Sequence, residues 1–465
     1  MEYKEWLERA IGLDLNLGIY NDYAMRIADM IYSQIHRSKW RADYKPAFSR
    51  IIANLRVSYE LGIPLHYSRD TNRKYQEFSG WRLRNLVDAM DEENLIEQHN
   101  GYYDEEFGGK ETRMWASEDL IGLFLAIQPE DVVLDPPDPV VDLKDRPPKK
   151  NGKRQKPKSV PYRRSVETDA MTKELKQYGE MMLRHRVELH ISSDDDLSEK
   201  AEEQLVNLIT LYRYSYLSIL YPKGFPNASY SILNTNNSSN NRIATITYEI
   251  GQPIGIRFRY CWLHRSFSEK FTLGGRYYGA PWQFIGGELR AHITIDGQST
   301  VEPDYSGYHL RMLYHLEGIE CEKDPYGFCE PKLRTLYKDV ALIMINCGAK
   351  RYLTNSIKKR FRDKGRENEF GKEIFDKGFI KKMVAECEAF HEPVKGFFCS
   401  DVGIKLQYID SEITSCVLDH FISGDIPILP VHDSFVVAEE HGQVLRTVMT
   451  EAYEYHLGFE PVITG

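Results

Sequence analysis

Apolar residues recur at helical spacing over residues 22–62, which predicts a mainly helical start to the chain. A second helical pattern covers residues 79–90, where Leu83, Leu86 and Met90 share one apolar face. Shorter elements are predicted after it: a strand at 93–97, a polar hairpin at 99–110, a β-prone return at 112–116 and a helix at 119–127. The pattern therefore predicts a first domain, residues 1–130, that is mainly helical and contains one small hairpin.

Helix, strand, hairpin, strand and helix follow one another in the order of a winged helix, and this segment resembles the winged-helix domain of replication initiators. In such a domain the helix before the hairpin can enter the DNA major groove, while the hairpin touches the backbone. The candidate DNA contacts are the polar residues that fall largely outside the apolar face of that helix: Arg82, Arg84 and Asn85. Winged helices also mediate protein contacts, so that alternative stays open.

Residues 131–166 are rich in proline and basic residues, which predicts an extended linker. Ten Lys or Arg and one Asp lie between Lys144 and Arg164. Such a tract can bind phosphates without sequence preference, or it can serve only as a disordered tether. A second domain, residues 167–465, then opens with helical spacing over 168–189 and 199–220, followed by a polar loop at 234–241.

Composition and charge narrow the class of protein. With 465 residues, of which 42% are hydrophobic and 28% charged, the chain can form two or three globular domains. The net charge of −9 counts mildly against a nucleic-acid enzyme, although the location of charges matters more than their sum. The seven cysteines lack zinc-ligand spacing, which predicts reduced thiols in a cytoplasmic protein. No apolar run approaches the ~18 residues of a membrane span, so no membrane partner is expected.

Two aspartates near strand ends carry the strongest chemical signal. The apolar runs 426–431 and 435–438 predict a tight β-hairpin with His432 and Asp433 at its tip. Upstream, a predicted strand ends at Asp304 and a helix begins directly after it. Two such carboxylates brought together can hold two divalent metal ions for phosphoryl transfer. Taken singly, Asp304 could be a helix cap and Asp433 an ordinary turn residue.

Cationic and polar residues surround these aspartates in the sequence. Arg334 and Lys338 are four positions apart on one predicted helix, so they share a face and could grip a triphosphate. The other candidates are Arg276 in the glycine-punctuated turn 274–283, Arg290 near a strand at 292–295, Asn346 at the end of the Arg334 helix, and Gln407 with Glu412 on a helix at 403–418.

Taken in order, these motifs resemble the family A polymerases, the group that contains DNA polymerase I and the single-subunit phage-type RNA polymerases. The resemblance covers roughly residues 270–440. It implies an α+β right-hand fold, in which a palm with an antiparallel sheet carries helical fingers and a helical thumb. The thumb would then occupy about 167–260, and the palm and fingers about 261–465.

The resemblance also implies a role for each residue. Asp304, Asp433 and the backbone carbonyl of Tyr305 would hold two Mg²⁺ ions, with Mn²⁺ as an alternative. Lys338 would be catalytic at the α-phosphate, and Arg334 would clamp the β- and γ-phosphates. The remaining nucleotide contacts would be Tyr305, His309 and Asn346, and the primer-template contacts would be Arg276, Arg290, Gln407, Glu412 and His432.

Two positions depart from the family pattern. Family A DNA polymerases carry a glutamate where His309 falls, and both branches of the family carry a tyrosine where Asn346 falls. Because these positions lie where the sugar is read, the choice between deoxyribonucleotides and ribonucleotides stays open.

The sequence therefore predicts a template-directed nucleotidyltransferase, a minimal DNA polymerase or primase-polymerase of a mobile element or phage. Its partners would be a DNA primer-template or single-stranded template and nucleoside triphosphates, with a replicative helicase as a further candidate. The alternatives are a phage-type RNA polymerase, a DNA-binding replication initiator with a non-catalytic palm, and a template-independent terminal transferase.

Overall fold

Helices and small antiparallel sheets alternate along the chain in the computed structural model, so the predicted α+β class is confirmed. The structure describes residues 3–8, 10–14, 16–37, 40, 43–73, 79–101, 103–104, 108–128, 131–147, 155–192, 194–211, 217–219, 229–233, 243–247, 254–258 and 260–465. The loop predicted at 234–241 and part of the basic tract, residues 148–154, lie outside these ranges.

The helices of the described residues, in chain order, are α1 Tyr3–Glu8, α2 Asp22–Ile35, α3 Lys45–Leu61, α4 Gly80–Glu92, α5 Glu118–Phe124, α6 Val166–Met182, α7 Glu199–Leu211, α8 Gly287–Arg290, α9 Tyr308–Leu316, α10 Arg334–Asn346, α11 Lys350–Asp363, α12 Arg366–Phe370, α13 Lys377–Phe390, α14 Gly403–Ser423 and α15 Gly442–Leu457. Short 3-10 turns cover Pro281–Gln283, Pro331–Leu333, Lys372–Phe375, Glu392–Phe397 and Glu439–His441.

The strands are β1 Ile11–Gly12, β2 Leu17–Ile19, β3 Leu65–Tyr67, β4 Ile96–His99, β5 Tyr103–Asp104, β6 Gly108–Gly109, β7 Thr112–Ala116, β8 Val132–Leu134, β9 Val141–Lys144, β10 Val187–Ile191, β11 Leu217–Ile219, β12 Ser229–Leu233, β13 Ile243–Thr247, β14 Ile254–Phe258, β15 His264–Ser268, β16 Lys270–Tyr278, β17 Ile293–Ile295, β18 Gln298–Val301, β19 Asp304–Tyr305, β20 Leu429–Val431, β21 Ser434–Ala438 and β22 Ile463–Thr464. None of the described helices is long and apolar enough to cross a membrane.

The chain divides into two compact units, and neither is continuous in sequence. The first contains Met1–Pro136, Arg186–Trp262 and Ala280–Gly297, and the second contains Pro137–His185, Leu263–Gly279 and Gln298–Gly465. This division differs from the predicted domains, because the segment 186–262 belongs with the N-terminal residues rather than with a C-terminal domain.

In the first unit, β7 lies between β3 and β4 and pairs antiparallel with both, while β1 extends the sheet by pairing in parallel with β3. The helices α2 to α5 accompany this sheet, and the core contains Ile31, Ile51, Leu86 and Met114, all fully buried. The order helix α4, strand β4, hairpin, strand β7 and helix α5 matches the order expected from the sequence. Residues 102 and 105–107 of the hairpin lie outside the described residues.

A second sheet of this unit has the order β11-β14-β10-β17, with antiparallel pairs. It corrects a predicted helix, because the helical spacing at 168–189 continues past the true end of α6 at Met182. Val187 and Leu189 are buried in β10 instead, where Val187 pairs with Ile295 of β17 and Leu189 pairs with Ile256 of β14. The helix predicted at 199–220 likewise ends at Leu211, and residues 217–219 form β11.

The predicted linker contains paired strands. β8 pairs with β2 in the first unit, and β9 pairs in parallel with β15 in the second. Val133 and Val141 are buried in these pairings. Apolar residues at both ends of the proline-rich segment therefore anchor it in folded structure, which composition alone does not predict.

In the second unit, β21 lies at the centre of a sheet and pairs with β18, β19 and β20, while β22 pairs with β19. A separate three-stranded sheet has the order β16-β15-β9. The long helix α14 packs against β16 and α15. Fully buried residues such as Leu406, Val417 and Phe435 form the core around it. This core fixes α14 and the central sheet, which carry most of the predicted site.

Candidate functional site

The two aspartates predicted as metal ligands lie on adjacent strands. β20 and β21 are joined by a two-residue turn, His432 and Asp433, because Val431 pairs with Ser434. β19 lies against this hairpin: Asp304 pairs with Ser434, and the Tyr305 amide donates to the Asp433 carbonyl at 3.1 Å. Asp433 is exposed and Asp304 is half-buried. The structure thus brings both residues together at one edge of the central sheet.

The backbone at the hairpin tip is strained. His432 has a φ of +63°, in the left-handed region that costs a residue with a Cβ about 1–2 kcal/mol. Its ring lies 5.6 Å from the Tyr278 ring, centroid to centroid. Strain of this kind persists where the surrounding structure holds it and is concentrated at functional sites. The turn presents Asp433 to solvent while His432 stays half-buried against Tyr278.

Gly307 connects β19 to the helix that follows. Its φ of +62° turns the chain from strand into α9, and a Cβ there would lie 2.9 Å from Pro325 Cγ. The Tyr305 ring enters the core, where its hydroxyl donates to the Met449 carbonyl at 2.7 Å. The Tyr305 ring is therefore a hydrogen-bonded core residue, and a nucleotide contact for Tyr305 stays a prediction. Its backbone carbonyl stays a predicted metal ligand.

Beside the hairpin tip lies a buried polar cluster that the sequence did not single out as a unit. Arg276 on β16 donates from Nε to Asp410 Oδ2 on α14, and from Nη2 to His309 Nε2 at 3.0 Å. Since arginine only donates, His309 Nε2 accepts and its proton is on Nδ1. Burial and the Arg276 cation lower the pKa of His309 to about 3, so the ring is neutral at pH 7.

Asp410 is the residue of this cluster that sequence reasoning missed. Its side chain is 1% exposed, and burial raises its pKa to about 6, although the Arg276 cation acts in the opposite direction. Its position three residues after Gln407, on a helix with buried apolar residues on both sides, was the available signal. Gln407 itself is half-buried on α14.

A second buried cation fixes α14 against β16. Arg265 donates to the Gly275 carbonyl at 2.8 Å, to Ser411 Oγ at 2.9 Å and to Glu412 Oε1 at 2.7 Å. Gly275 has a φ of +86°, and a Cβ there would approach both Phe267 and Ser411 within 3 Å. Glu412 was predicted to contact the primer-template, and part of its carboxylate is engaged by Arg265 instead. A nucleic-acid contact for Glu412 stays a prediction.

The predicted triphosphate cations lie at the start of α10. Arg334 makes two hydrogen bonds to the Asp324 carboxylate, one of them 2.9 Å between Nη2 and Oδ1. The Tyr326 ring lies 5.2 Å from the Arg334 guanidinium and 5.7 Å from Lys338 Nζ. Hydrogen bonding to Arg334 lowers the pKa of Asp324. Both cations therefore lie close to the Tyr326 ring, and Arg334 is already paired with the Asp324 carboxylate.

At the other end of α10, Asn346 packs against the start of α14. Its Nδ2 donates to the Leu342 carbonyl at 2.8 Å, and a Cβ on Gly403 would collide with its Oδ1. This contact gives Asn346 a structural role, and a nucleotide contact for it stays a prediction.

Four predicted nucleic-acid contacts lie in the first unit. Arg290 ends α8 and donates to the Ile285 carbonyl. On α4, Arg84 forms an ion pair with Asp88 at 3.5 Å, and Asn85 donates to the Tyr44 hydroxyl at 3.3 Å. Arg82 lines a cavity of about 780 Å³ together with the exposed Trp81. The roles of these residues on DNA stay predictions.

The donor set around Asp304 and Asp433 suits a hard cation. Among the described residues, no group of three or more His, Cys, Asp or Glu side chains is placed to hold a metal ion. Mg²⁺ commonly takes one or two carboxylates and completes its shell with water and substrate phosphates. Two carboxylates and a backbone carbonyl therefore fit Mg²⁺ and do not fit a structural zinc site.

Comparison with known proteins identifies no family for this chain and only a weak structural similarity. No protein-family model matches the sequence, and no curated protein matches it. Among solved structures, the polymerase domain of Pol1 from M. smegmatis, in complex with DNA primer-template and dNTP, matches with a TM-score of 0.27 and 14% identity. The match covers 44% of this chain and 46% of that chain. A TM-score of this size establishes neither a shared fold nor a shared activity.

Proposed function

We propose that this protein is a template-directed nucleotidyltransferase that extends a DNA primer. The observation that carries this proposal is the pairing of β19 with the β20–β21 hairpin, which brings Asp304 beside the Asp433 turn. Adjacent strand-end carboxylates suit metal-assisted phosphoryl transfer, and α10 offers two cations, Arg334 and Lys338, for a triphosphate. The sequence resemblance to family A polymerases supports the same activity.

In this proposal Asp304, Asp433 and the Tyr305 carbonyl hold divalent ions. A bound Mg²⁺ lowers the pKa of an attacking hydroxyl and neutralises charge on the leaving pyrophosphate. Arg334 and Lys338 bind the triphosphate, and Lys338 is the candidate proton donor to the leaving group. Arg276, His432 and Gln407 orient the primer terminus from the side of the hairpin tip.

Primer extension tests the proposal. The full chain is incubated with a labelled primer on a DNA template, Mg²⁺ and either dNTPs or NTPs. Template-dependent extension supports the proposal, and the preferred nucleotide separates a DNA polymerase from the phage-type RNA polymerase. Reactions without template and without primer detect a terminal transferase and a primase-polymerase, respectively. Absence of incorporation under all these conditions would reject nucleotidyl transfer and favour the initiator with a non-catalytic palm.

Asp324 is expected to compete with phosphate for Arg334. The two side chains are 45% and 35% exposed, so their ion pair contributes about 0.2–1 kcal/mol. Asp324→Asn should therefore tighten binding of inorganic tripolyphosphate by about 1.4- to fivefold, as measured by calorimetry. Arg334→Ala should weaken the same binding about tenfold or more, because hydrogen bonds to charged groups contribute about 1.5–3 kcal/mol.

Glu330→Gln is the matched control, since Glu330 pairs with Lys332 at 2.9 Å and not with Arg334. It removes one negative charge near the same helix and should leave tripolyphosphate affinity unchanged. Equal affinities for the unchanged protein and Asp324→Asn would contradict competition at Arg334.

We also propose that α4 of the first unit binds duplex DNA through Arg82 and Arg84, as the order of its elements suggests for a winged helix. Arg82→Ala should reduce the slope of log affinity against log salt by roughly 0.9 for the lost phosphate contact. Fluorescence anisotropy with a labelled duplex at several salt concentrations measures it. Lys45→Ala removes an exposed cation that pairs with Asp29 on α2, and serves as the control. An equal change in slope for both variants would argue against a specific role of α4.

A further inference from the structure

The buried carboxylate of Asp410 needs an explanation, because burying a charge is costly unless it is paired and hydrogen-bonded. One oxygen accepts from Arg276 Nε. The other, Oδ1, is also buried, and hydrogen bonding from the neighbouring Tyr308 hydroxyl acts to lower the pKa of this carboxyl. An apolar residue at position 410 would avoid this cost. Asp410 therefore calls for a role beyond packing.

Its partner Arg276 lies on the side of β16 that faces the hairpin tip. Arg276 and Tyr278 are two positions apart in the strand, so their side chains leave the same face. The Tyr278 ring contacts the His432 ring at 5.6 Å, and Asp433 follows His432 directly. The negative charge of Asp433 also contributes to raising the pKa of both Arg276 and Asp410. Arg276 is thus a largely buried cation within electrostatic range of two aspartates, Asp410 and Asp433.

We propose that Asp410 is a positioning residue that holds the Arg276 cation away from Asp433 and so keeps the Asp433 carboxylate available to a divalent metal ion. This inference rests on the proposed function, which makes Asp433 a metal ligand. Arg276 is 17% exposed and keeps its charge. Without Asp410 it would be a buried cation that lacks its nearest counter-ion. Asp433 is then the acidic side chain that can form an ion pair with Arg276. An Asp433 carboxylate paired with a guanidinium binds a metal ion poorly.

The competition has a specific experimental signature. In the Asp410→Asn variant, Arg276 pairs with Asp433 and metal binding weakens. In the double variant Asp410→Asn/Arg276→Gln the competing cation is absent, so metal binding returns. A purely structural role for Asp410 would not produce recovery when a second buried group is removed. The double variant also removes both charges of the pair and leaves no unpaired buried ion.

Binding of Mn²⁺ to the full-length protein, measured by electron paramagnetic resonance without nucleotide or DNA, tests the proposal. Asp410→Asn should weaken Asp433-dependent binding about tenfold, the size expected for one charge-assisted hydrogen bond to Asp433. The double variant should return to within about threefold of the unchanged protein. Asp419→Asn removes an exposed carboxylate from the same helix and is the control for charge. Asp433→Asn identifies the signal that belongs to this site.

Circular dichroism shows which variants fold. If Asp410→Asn does not fold, the test is the Mn²⁺ affinity of the double variant compared with that of the unchanged protein. Unchanged Mn²⁺ affinity in folded Asp410→Asn would overturn the proposal, as would a folded double variant with weak binding. Absence of any Asp433-dependent binding in the unchanged protein would reject the metal site, and this proposal with it. Failure of the proposed metal site and failure of the Asp410 proposal are distinguishable, because only the first is seen in the unchanged protein.

Discussion

Asp433→Asn is expected to lower the rate of primer extension about 10³-fold or more while leaving the protein folded. The substitution removes the proposed metal ligand. Metal binding to the reacting groups contributes several kcal/mol to transition-state stabilisation, and about 1.4 kcal/mol corresponds to a tenfold change in rate. Stability should change by less than about 0.5 kcal/mol, because Asp433 is exposed at a hairpin tip. Asp304→Asn should reduce extension to a similar extent, since its carboxylate belongs to the same site.

Asp425→Asn is the matched control for this experiment. Asp425 is another exposed aspartate in a turn before the same hairpin, with a φ of +54° that asparagine tolerates well. Its ion pair with Arg184 is exposed, so its loss should cost less than about 1 kcal/mol and leave the rate unchanged. Extension by Asp433→Asn at the rate of the Asp425→Asn control would show that the hairpin carboxylate is not part of the chemistry.

The sequence predicts local features of this site well. An apolar run that ends in His432 and Asp433, followed by a second apolar run, specifies a tight hairpin, and the structure contains it. A strand end before Gly307 and a helix after it also follow from local pattern. The joint role of Asp304 and Asp433, by contrast, is implied by the family resemblance, and the pairing of β19 with the hairpin is seen only in the structure.

The pattern of apolar and polar residues does not predict which side chains, far apart in sequence, contact each other. The hydrogen bond between Arg276 and Asp410 joins residues 134 positions apart. The position of Asp410 on α14 does not by itself predict its burial or its partner, because both depend on β16 packing against α14. The Tyr305 ring is a second case, because its hydroxyl donates to the Met449 carbonyl, 144 positions away. The helix predicted at 168–189 failed because apolar residues of a short buried strand also fit helical spacing.

Arg265→Met is the substitution expected to destabilise the second unit most. Arg265 is 1% exposed and lies between the Phe267 and Tyr277 rings, with its guanidinium 5.0 and 4.9 Å from the ring centroids. Methionine fills part of the space but donates no hydrogen bond. Nearby, Glu174 is buried, and the Arg265 cation opposes the rise in its pKa that burial causes. Removing one partner of a buried ionic cluster typically costs about 3–5 kcal/mol.

Urea unfolding followed by far-UV circular dichroism measures this loss as a lower midpoint. All six tryptophans lie in the first unit, so fluorescence follows that unit separately. Arg164→Met is the matched control, because Arg164 is 71% exposed and its ion pair with Asp169 contributes at most about 1 kcal/mol. Arg265 also holds Gly275 and Ser411 against each other. Its loss should therefore loosen α14 from β16 and slow primer extension at urea concentrations below the unfolding midpoint. If Arg265→Met and Arg164→Met unfold at the same urea concentration, Arg265 does not hold these elements together.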